Sequence, residues 1–215
     1  MEKLLYLFDV EPVALEGLCS WLSKRPDIKI AAKATSVQDA LQIIFSAEIP
    51  ENAQAIAITE LSFRRIGEQK NEDGFKIIKA INESKKPIKV LVFSSLDSGG
   101  YLRTCMSQKY RVSGFVSKEC DINTLFTAID FIHSGELYFS ENLKARLEEA
   151  ENIYKKLSKT EKIVLEHVFE DMSNHEIAEK LGLSKRTIEN YISHIYGKAN
   201  VYNRYTLFIK IGGGG

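Results

Sequence analysis

The stretch Ser173–Lys198 constrains this chain more than any other. It opens with Ser173 and Glu176 three residues apart, the spacing of a capping box, so a helix is predicted to start there. Ile177 and Leu181 then share a face. Gly182 supplies the positive φ that ends that helix, and Ser184 can cap the next. The second helix carries Ile188, Ile192, Ile195 and Ala199 at helical spacing, which predicts a buried stripe. At about 100° per residue its opposite face holds Arg186, Glu189, Asn190, Ser193, His194 and Gly197. Two short helices joined by a tight glycine turn, the second with an amide-and-cation face, form a helix-turn-helix. A second helix of that kind can enter a DNA major groove. A small helical bundle with a polar surface would give the same periodicity.

The flanks extend the pattern. Ser158 and Glu161 form another capping box, ahead of Ile163, Leu165, Val168 and Phe169. Asn203 can cap a last helix with Leu207, Phe208 and Ile211. Four helices therefore occupy about 55 residues. This ordered set resembles the LuxR-type DNA-binding domain of the NarL/FixJ response regulators. The matching residues are Leu157-Ser158-Lys159-Thr160-Glu161, Asn174-His175-Glu176-Ile177-Ala178, Leu181-Gly182-Leu183-Ser184, Thr187-Ile188-Glu189-Asn190 and Ile195-Tyr196-Gly197-Lys198. The resemblance covers the whole segment 157–211 and implies double-stranded DNA as partner. It also implies a homodimer on paired half-sites, with the last helix and its candidates Tyr202 and Tyr205 resembling the family's dimer contact.

Residue chemistry divides the expected labour. Lys185, Arg186, Glu189, Asn190 and Ser193 are placed to meet base edges, since arginine reads guanine, asparagine adenine, and glutamate can accept from cytosine. Thr187, Tyr191 and Lys198 lie at the helix flanks, suited to phosphates. Glu189 would repel a phosphate, so a base contact or a salt bridge to Arg186 or Lys185 is expected. From Leu157 onward eight basic residues stand against seven acidic ones, while the whole chain is formally neutral. Any charge for DNA must then be concentrated on one face, with strong salt dependence.

The N-terminal half alternates short apolar runs with helical periodicities. Runs at 4–8, 28–34, 55–59, 88–93 and 114–117 read as strands; 13–24, 36–47, 75–81, 102–108 and 122–133 read as helices. That alternation predicts an α/β fold, a doubly wound five-stranded parallel sheet of flavodoxin-like, receiver-like type, beside the small all-α domain. The expected organisation is a receiver-like domain at 1–136, a helical linker at 137–156, the helix-turn-helix domain at 157–211 and a glycine tail at 212–215. In the linker, Leu143, Leu147, Ala150, Tyr154 and Leu157 repeat at alternating four and three. A helix lying on one domain and a dimer seam both satisfy that spacing.

Sites in doubly wound sheets form beyond the strand C-termini. Asp9, Glu60, Ser94 and Lys118 all sit at strand ends. Together they resemble the phosphorylation pocket of a response-regulator receiver. The resemblance gives Asp9 the place of the first acid of an acidic pair, Ser94 that of the hydroxyl that follows the phosphoryl group, Lys118 that of the pocket lysine and Phe115 that of the switch aromatic. It places Asp73-Gly74 at the start of the third helix. Two departures matter. Val10 stands where the family has a magnesium-ligating acid, and Glu60 where it has the phospho-acceptor aspartate. Magnesium wants near-octahedral oxygen ligands and valine supplies none. Phosphoryl transfer leans on that cation. The expectation is a degenerate pocket with no metal and no cofactor, in which Glu60 reaches Lys118 or Ser94 as a standing negative charge. Control would then pass to constitutive assembly, a small ligand or a protein partner.

Two other readings compete: a protein-interaction module whose helical domain does not itself read DNA, and an enzyme using the Asp9, Glu60 and Lys118 pocket. No nucleophile is paired with a general base, so an enzyme is not expected. Three widely spaced cysteines (Cys19, Cys105 and Cys120) suit a reducing compartment and form no zinc pattern. The opening apolar run is too short for a signal peptide or membrane span, which points to the cytoplasm.

Overall fold

In the computed structural model, residues 2–50, 53–63 and 74–212 are described. Residues 64–73, Asp73 among them, and residues 213–215 of the glycine tail lie outside them. The chain divides into two compact units: Met1–Leu96 with Tyr110–Ser140, and Asp97–Lys109 with Glu141–Gly215.

The first unit is a parallel sheet of β1 (Lys3–Phe8), β2 (Ile28–Ala34), β3 (Gln54–Thr59), β4 (Ile88–Ser94), β5 (Gly114–Ser117) and β6 (Tyr138–Phe139), in the order β2-β1-β3-β4-β5-β6. Five strands were expected. The sixth is a two-residue parallel extension, Tyr138 opposite Gly114 and Phe139 opposite Phe115. It is too short to leave a periodic signal in sequence. Helices α1 (Pro12–Leu22), α2 (Val37–Ser46), α3 (Phe75–Ser84) and α5 (Ile122–His133) belong to the same unit. Every residue of β1 is buried, as a central strand covered on both faces requires, whereas edge strand β2 alternates. One core joins Leu5, Leu7, Ile56, Ile58, Leu91 and Val116 to Leu15, Leu18 and Leu22 of α1 and to Leu125, Ile129 and Ile132 of α5. At the N-terminal end of β1, Lys3 pairs with Asp27 and Asp130 at 2.5 and 2.6 Å, and Arg25 bonds both same carboxylates.

The second unit holds α4 (Gly99–Met106), α6 (Glu141–Lys155), α7 (Lys159–Phe169), α8 (Asn174–Leu181), α9 (Lys185–Ala199) and α10 (Arg204–Ile211). Both predicted capping boxes form, at Ser158/Glu161 and Ser173/Glu176. Asn203 caps α10 with Thr206 as its reciprocal partner. Ile177, Ile188, Ile192, Ile195, Ala199, Leu207 and Ile211 share one core with Ile153, Leu157, Val164, Leu165 and Val168.

Helix α4 packs on α6 and α10, although it lies in sequence between β4 and β5. Glycines allow the approach: a Cβ on Gly99 would overlap the Arg146 carbonyl oxygen, and one on Gly100 those of Phe208 and Ile209. Ser98 Oγ donates to Ile209 O at 2.9 Å. Arg103, only 6% exposed, donates to Ile211 O and Gly212 O at 3.1 Å and pairs with Glu151 at 3.1 Å. It thereby satisfies carbonyls that end α10, where a cation also suits the helix dipole. Two residues of the apolar stripe of α6, Leu143 and Ala150, are 1% exposed, and Ala150 Cβ lies where a Cβ on Gly99 would meet it at 3.0 Å. Leu147 and Tyr154 of the same stripe are half-buried.

Candidate nucleic-acid interface and degenerate phosphorylation pocket

The strand ends bring Asp9, Glu60, Ser94 and Lys118 together. Asp9 and Glu60 are each 4% exposed and Ser94 is fully buried. Lys118 Nζ lies 2.6 Å from Asp9 Oδ2 and 2.7 Å from Glu60 Oε2. Ser94 Oγ donates to Glu60 Oε1. Leu61 N–H and Ser62 N–H donate to that same oxygen at 2.6 and 3.3 Å. Glu11 N–H donates to Asp9 Oδ1 at 3.0 Å, and Leu96 N–H to Ser94 Oγ at 3.0 Å. Burial alone would lower the Lys118 pKa, but the carboxylates of Glu60 and Asp9 hold it above the ordinary lysine value.

The expected reach of Glu60 is therefore seen in both directions at once. Its extra methylene carries one oxygen to Ser94 and the other to Lys118. The backbone of 61–62 supplies the remaining donors. Phe115, on β5 beside the pocket residue Lys118 in sequence, is completely buried. Magnesium does not fit this donor set. Val10 is buried and offers no oxygen, and an ammonium already bridges the two carboxylates that remain. Among the described residues no group of three or more His, Cys, Asp or Glu side chains could hold a metal ion.

The second site is the outer face of α9. Ser184 Oγ accepts from Thr187 N–H at 3.1 Å, and Gly182 ends α8 at φ +64°. Leu183 N–H closes the turn onto Ala178 O at 2.9 Å. This leaves one geometry between the helices. Arg204 strengthens it from α10, donating to Met172 O at 2.5 Å and to Asn174 Oδ1 at 2.7 Å ahead of and within α8.

Lys185, Arg186, Glu189, Asn190, Ser193 and Lys198 are exposed, and Thr187 is half-buried. Arg186, Asn190 and Ser193 spend no side-chain hydrogen bond or ion pair on the described residues. Glu189 pairs with Lys185 at 3.8 Å, one of the two salt bridges expected of it. Two flank residues are already engaged. Thr187 Oγ1 lies 2.8 Å from Ser184 Oγ. Lys198 Nζ lies 2.8 and 2.6 Å from the two oxygens of Glu161. Sequence reasoning placed Lys198 beside phosphates and missed Glu161, which is 37 positions away and in no periodic relation to it. Burial alone would raise the Glu161 pKa, but the Lys198 ammonium and the Ser158 N–H hold it below the ordinary value.

Residues 155–210 match the family described as "Bacterial regulatory proteins, luxR family". The chain thus joins a receiver-like parallel α/β unit to a LuxR-type helix-turn-helix domain at 155–210. Its relatives include proteins described as transcriptional regulatory proteins. The chain is 34% identical over 136 residues to the Fimbriae Z protein of Escherichia coli K12, across 61% of this chain and 64% of that one. The match thus spans less than two thirds of that relative's length. The transcriptional regulatory protein UhpA of Salmonella typhimurium is 25% identical over 197 residues, covering 92% of this chain and 91% of its own. DesR of Bacillus subtilis is 24% identical over 200 residues, covering 93% and 92%. The fold is also that of RcsB. A response regulator RcsB–DNA complex superposes with a TM-score of 0.67 at 22% identity, covering 97% of this chain and 96% of that one. RcsB of Salmonella enterica serovar Typhimurium bound to the P1flhDC promoter superposes with 0.68 at 22% identity, covering 96% and 97%. No helix among the described residues is long and apolar enough to cross a membrane.

Proposed function

We propose that this chain of a LuxR-type regulator family is a sequence-specific DNA-binding transcriptional regulator. The carrying observation is the outer face of α9, where a guanidinium, an amide and a hydroxyl stand exposed and uncommitted on a doubly capped helix. Arg186 and Asn190 have the donor geometry for guanine and adenine edges, and Ser193 is sequence-tolerant. Lys185 and Glu189 lie 3.8 Å apart on the same exposed face, where the carboxylate can accept from a cytosine amine. One such domain is small, so a homodimer on paired half-sites is proposed, with Tyr202 (87% exposed) and Tyr205 (70%) of the α10 region as its contact. RcsB, whose fold this chain shares, has been seen as dimers bound to DNA.

The receiver-like domain, in this reading, works without aspartyl phosphorylation. Glu60 holds a fixed negative charge where the phosphoryl group would develop one, with Ser94 and Lys118 already on it. Control then belongs to assembly, a small ligand or a protein partner. Incubation with magnesium and acetyl phosphate is the test. No acid-labile phosphate should form on the wild type; stoichiometric phosphate on Glu60 sinks this half of the proposal. For the first half, selection of bound fragments from random DNA should return one enriched motif, with affinity falling steeply between 50 and 200 mM salt as on the order of six phosphate contacts require. A flat selection, with no enriched motif, sinks it.

A further inference from the structure

The Lys198–Glu161 pair changes what Lys198 does. Glu161 is 4% exposed, accepts from Ser158 N–H at 2.6 Å as the reciprocal half of the α7 capping box, and receives both ammonium contacts of Lys198. Lys198 lies in the last turn of α9, about 18 Å along the axis from Arg186 at 1.5 Å per residue. It also stands roughly 90° around the helix from the exposed face centred near Arg186 and Asn190. One carboxylate therefore joins the first turn of α7 to the last turn of α9. The two helix ends are favourably placed for it, a carboxylate at an N-terminus and an ammonium at a C-terminus. Breaking this clasp lets the far end of α9 swing, while the hydrophobic stripe still holds its middle.

We infer that Lys198 and Glu161 are positioning residues that fix the angle at which α9 presents Arg186, Asn190 and Ser193, and that Lys198 is not a phosphate ligand. This rests on the DNA reading proposed above. Two of the three ammonium donors are spent on Glu161, and moving them to a phosphate would strand a buried carboxylate. The cost of a misplaced recognition helix is lost discrimination, because base-edge hydrogen bonds are directional and phosphate attraction is not.

The test uses the full chain, its selected site and a random duplex of equal length. For Lys198→Met and Glu161→Gln the expected result is a five- to tenfold loss of preference for the selected site. The slope of log affinity against log salt should stay within about 0.3 of wild type, where a lost phosphate contact would reduce it by about 0.9. The double variant should be no worse than either single one. Glutamine still accepts from Ser158 N–H, so Glu161→Gln carries the comparison if Lys198→Met melts too low to assay. A slope shallower by about 0.9 in Lys198→Met, or tighter binding of random DNA by Glu161→Gln, overturns the inference alone. A wild-type chain with no site preference overturns the DNA reading and this inference with it.

Discussion

Among the described residues Lys118 is the cation holding two buried carboxylates beside each other, and Lys118→Met exposes what that costs. The nearest oxygens of Asp9 and Glu60 are each within 2.7 Å of one nitrogen, so they can be no more than about 5 Å apart. At an effective dielectric of 20 their bare repulsion is about 3 kcal/mol. Removing one partner of a fully buried pair costs about 3–5 kcal/mol. Lys118 keeps 24% of its side chain in solvent, so some of that charge is already screened. A loss of about 2–4 kcal/mol follows, against a typical total of about 5–15 kcal/mol. Trp21, the single tryptophan, lies in α1 of the same unit, with Lys24 Nζ 3.5 Å from its ring centroid. Its fluorescence therefore reports that unit in a urea titration. The midpoint should fall by about 1–2 M, given slopes of about 1–3 kcal/mol/M. Adding Glu60→Gln removes one of the two like charges and should restore most of the loss. A Lys118→Met midpoint within about 0.2 M of wild type, or strictly additive effects in the double variant, would refute the reasoning.

Three further outcomes are expected. Gly100→Ala should destabilise the second unit by about 1–3 kcal/mol in thermal melts, because the new methyl meets backbone carbonyls that cannot yield; the roughly 1 kcal/mol that alanine gains in helix propensity does not offset this. Asn190→Ala should cost about 1–3 kcal/mol on the selected site and relax preference at one base position, read by repeating the selection. Asp27 is held below the usual carboxylate range by hydrogen bonds from Arg25 and then Lys3. The stability it contributes is present above the unfolded value near pH 4 and is lost as pH falls through the depressed one. Asp27→Asn should therefore flatten the acid limb of stability against pH; an unchanged limb counts against the cluster.

Periodicity and caps were legible because they are local. Ser158, Ser173, Ser184, Gly182 and Asn203 act on backbone groups within a few positions, so their roles follow from chain order alone. The strand-end quartet was legible for a different reason. A parallel doubly wound sheet carries every strand C-terminus to one edge, so alternation itself gathers Asp9, Glu60, Ser94 and Lys118. Resemblance then supplied the meaning of Val10 and Glu60.

What the order of residues could not specify were pairings across the fold. Glu161 with Lys198, Arg103 with the last carbonyls of α10, and Arg25 and Lys3 with Asp27 and Asp130 join positions that share no period. Nor did the sequence choose between the two partners offered to Glu60. Those outcomes depend on which neutralising group lies within about 3 Å once the backbone has been placed, and a charge finds that neighbour only in three dimensions. The sequence by itself determined the capped starts of α7 to α10, the sheet type and the face of α9 that stays in water, since burial of the Ile188–Ala199 stripe leaves no other face outward; the ends of α3 and α4, which no cap marks, it did not. Only tertiary structure decided which cations remain free to meet a ligand, because each buried carboxylate first claims the nearest one.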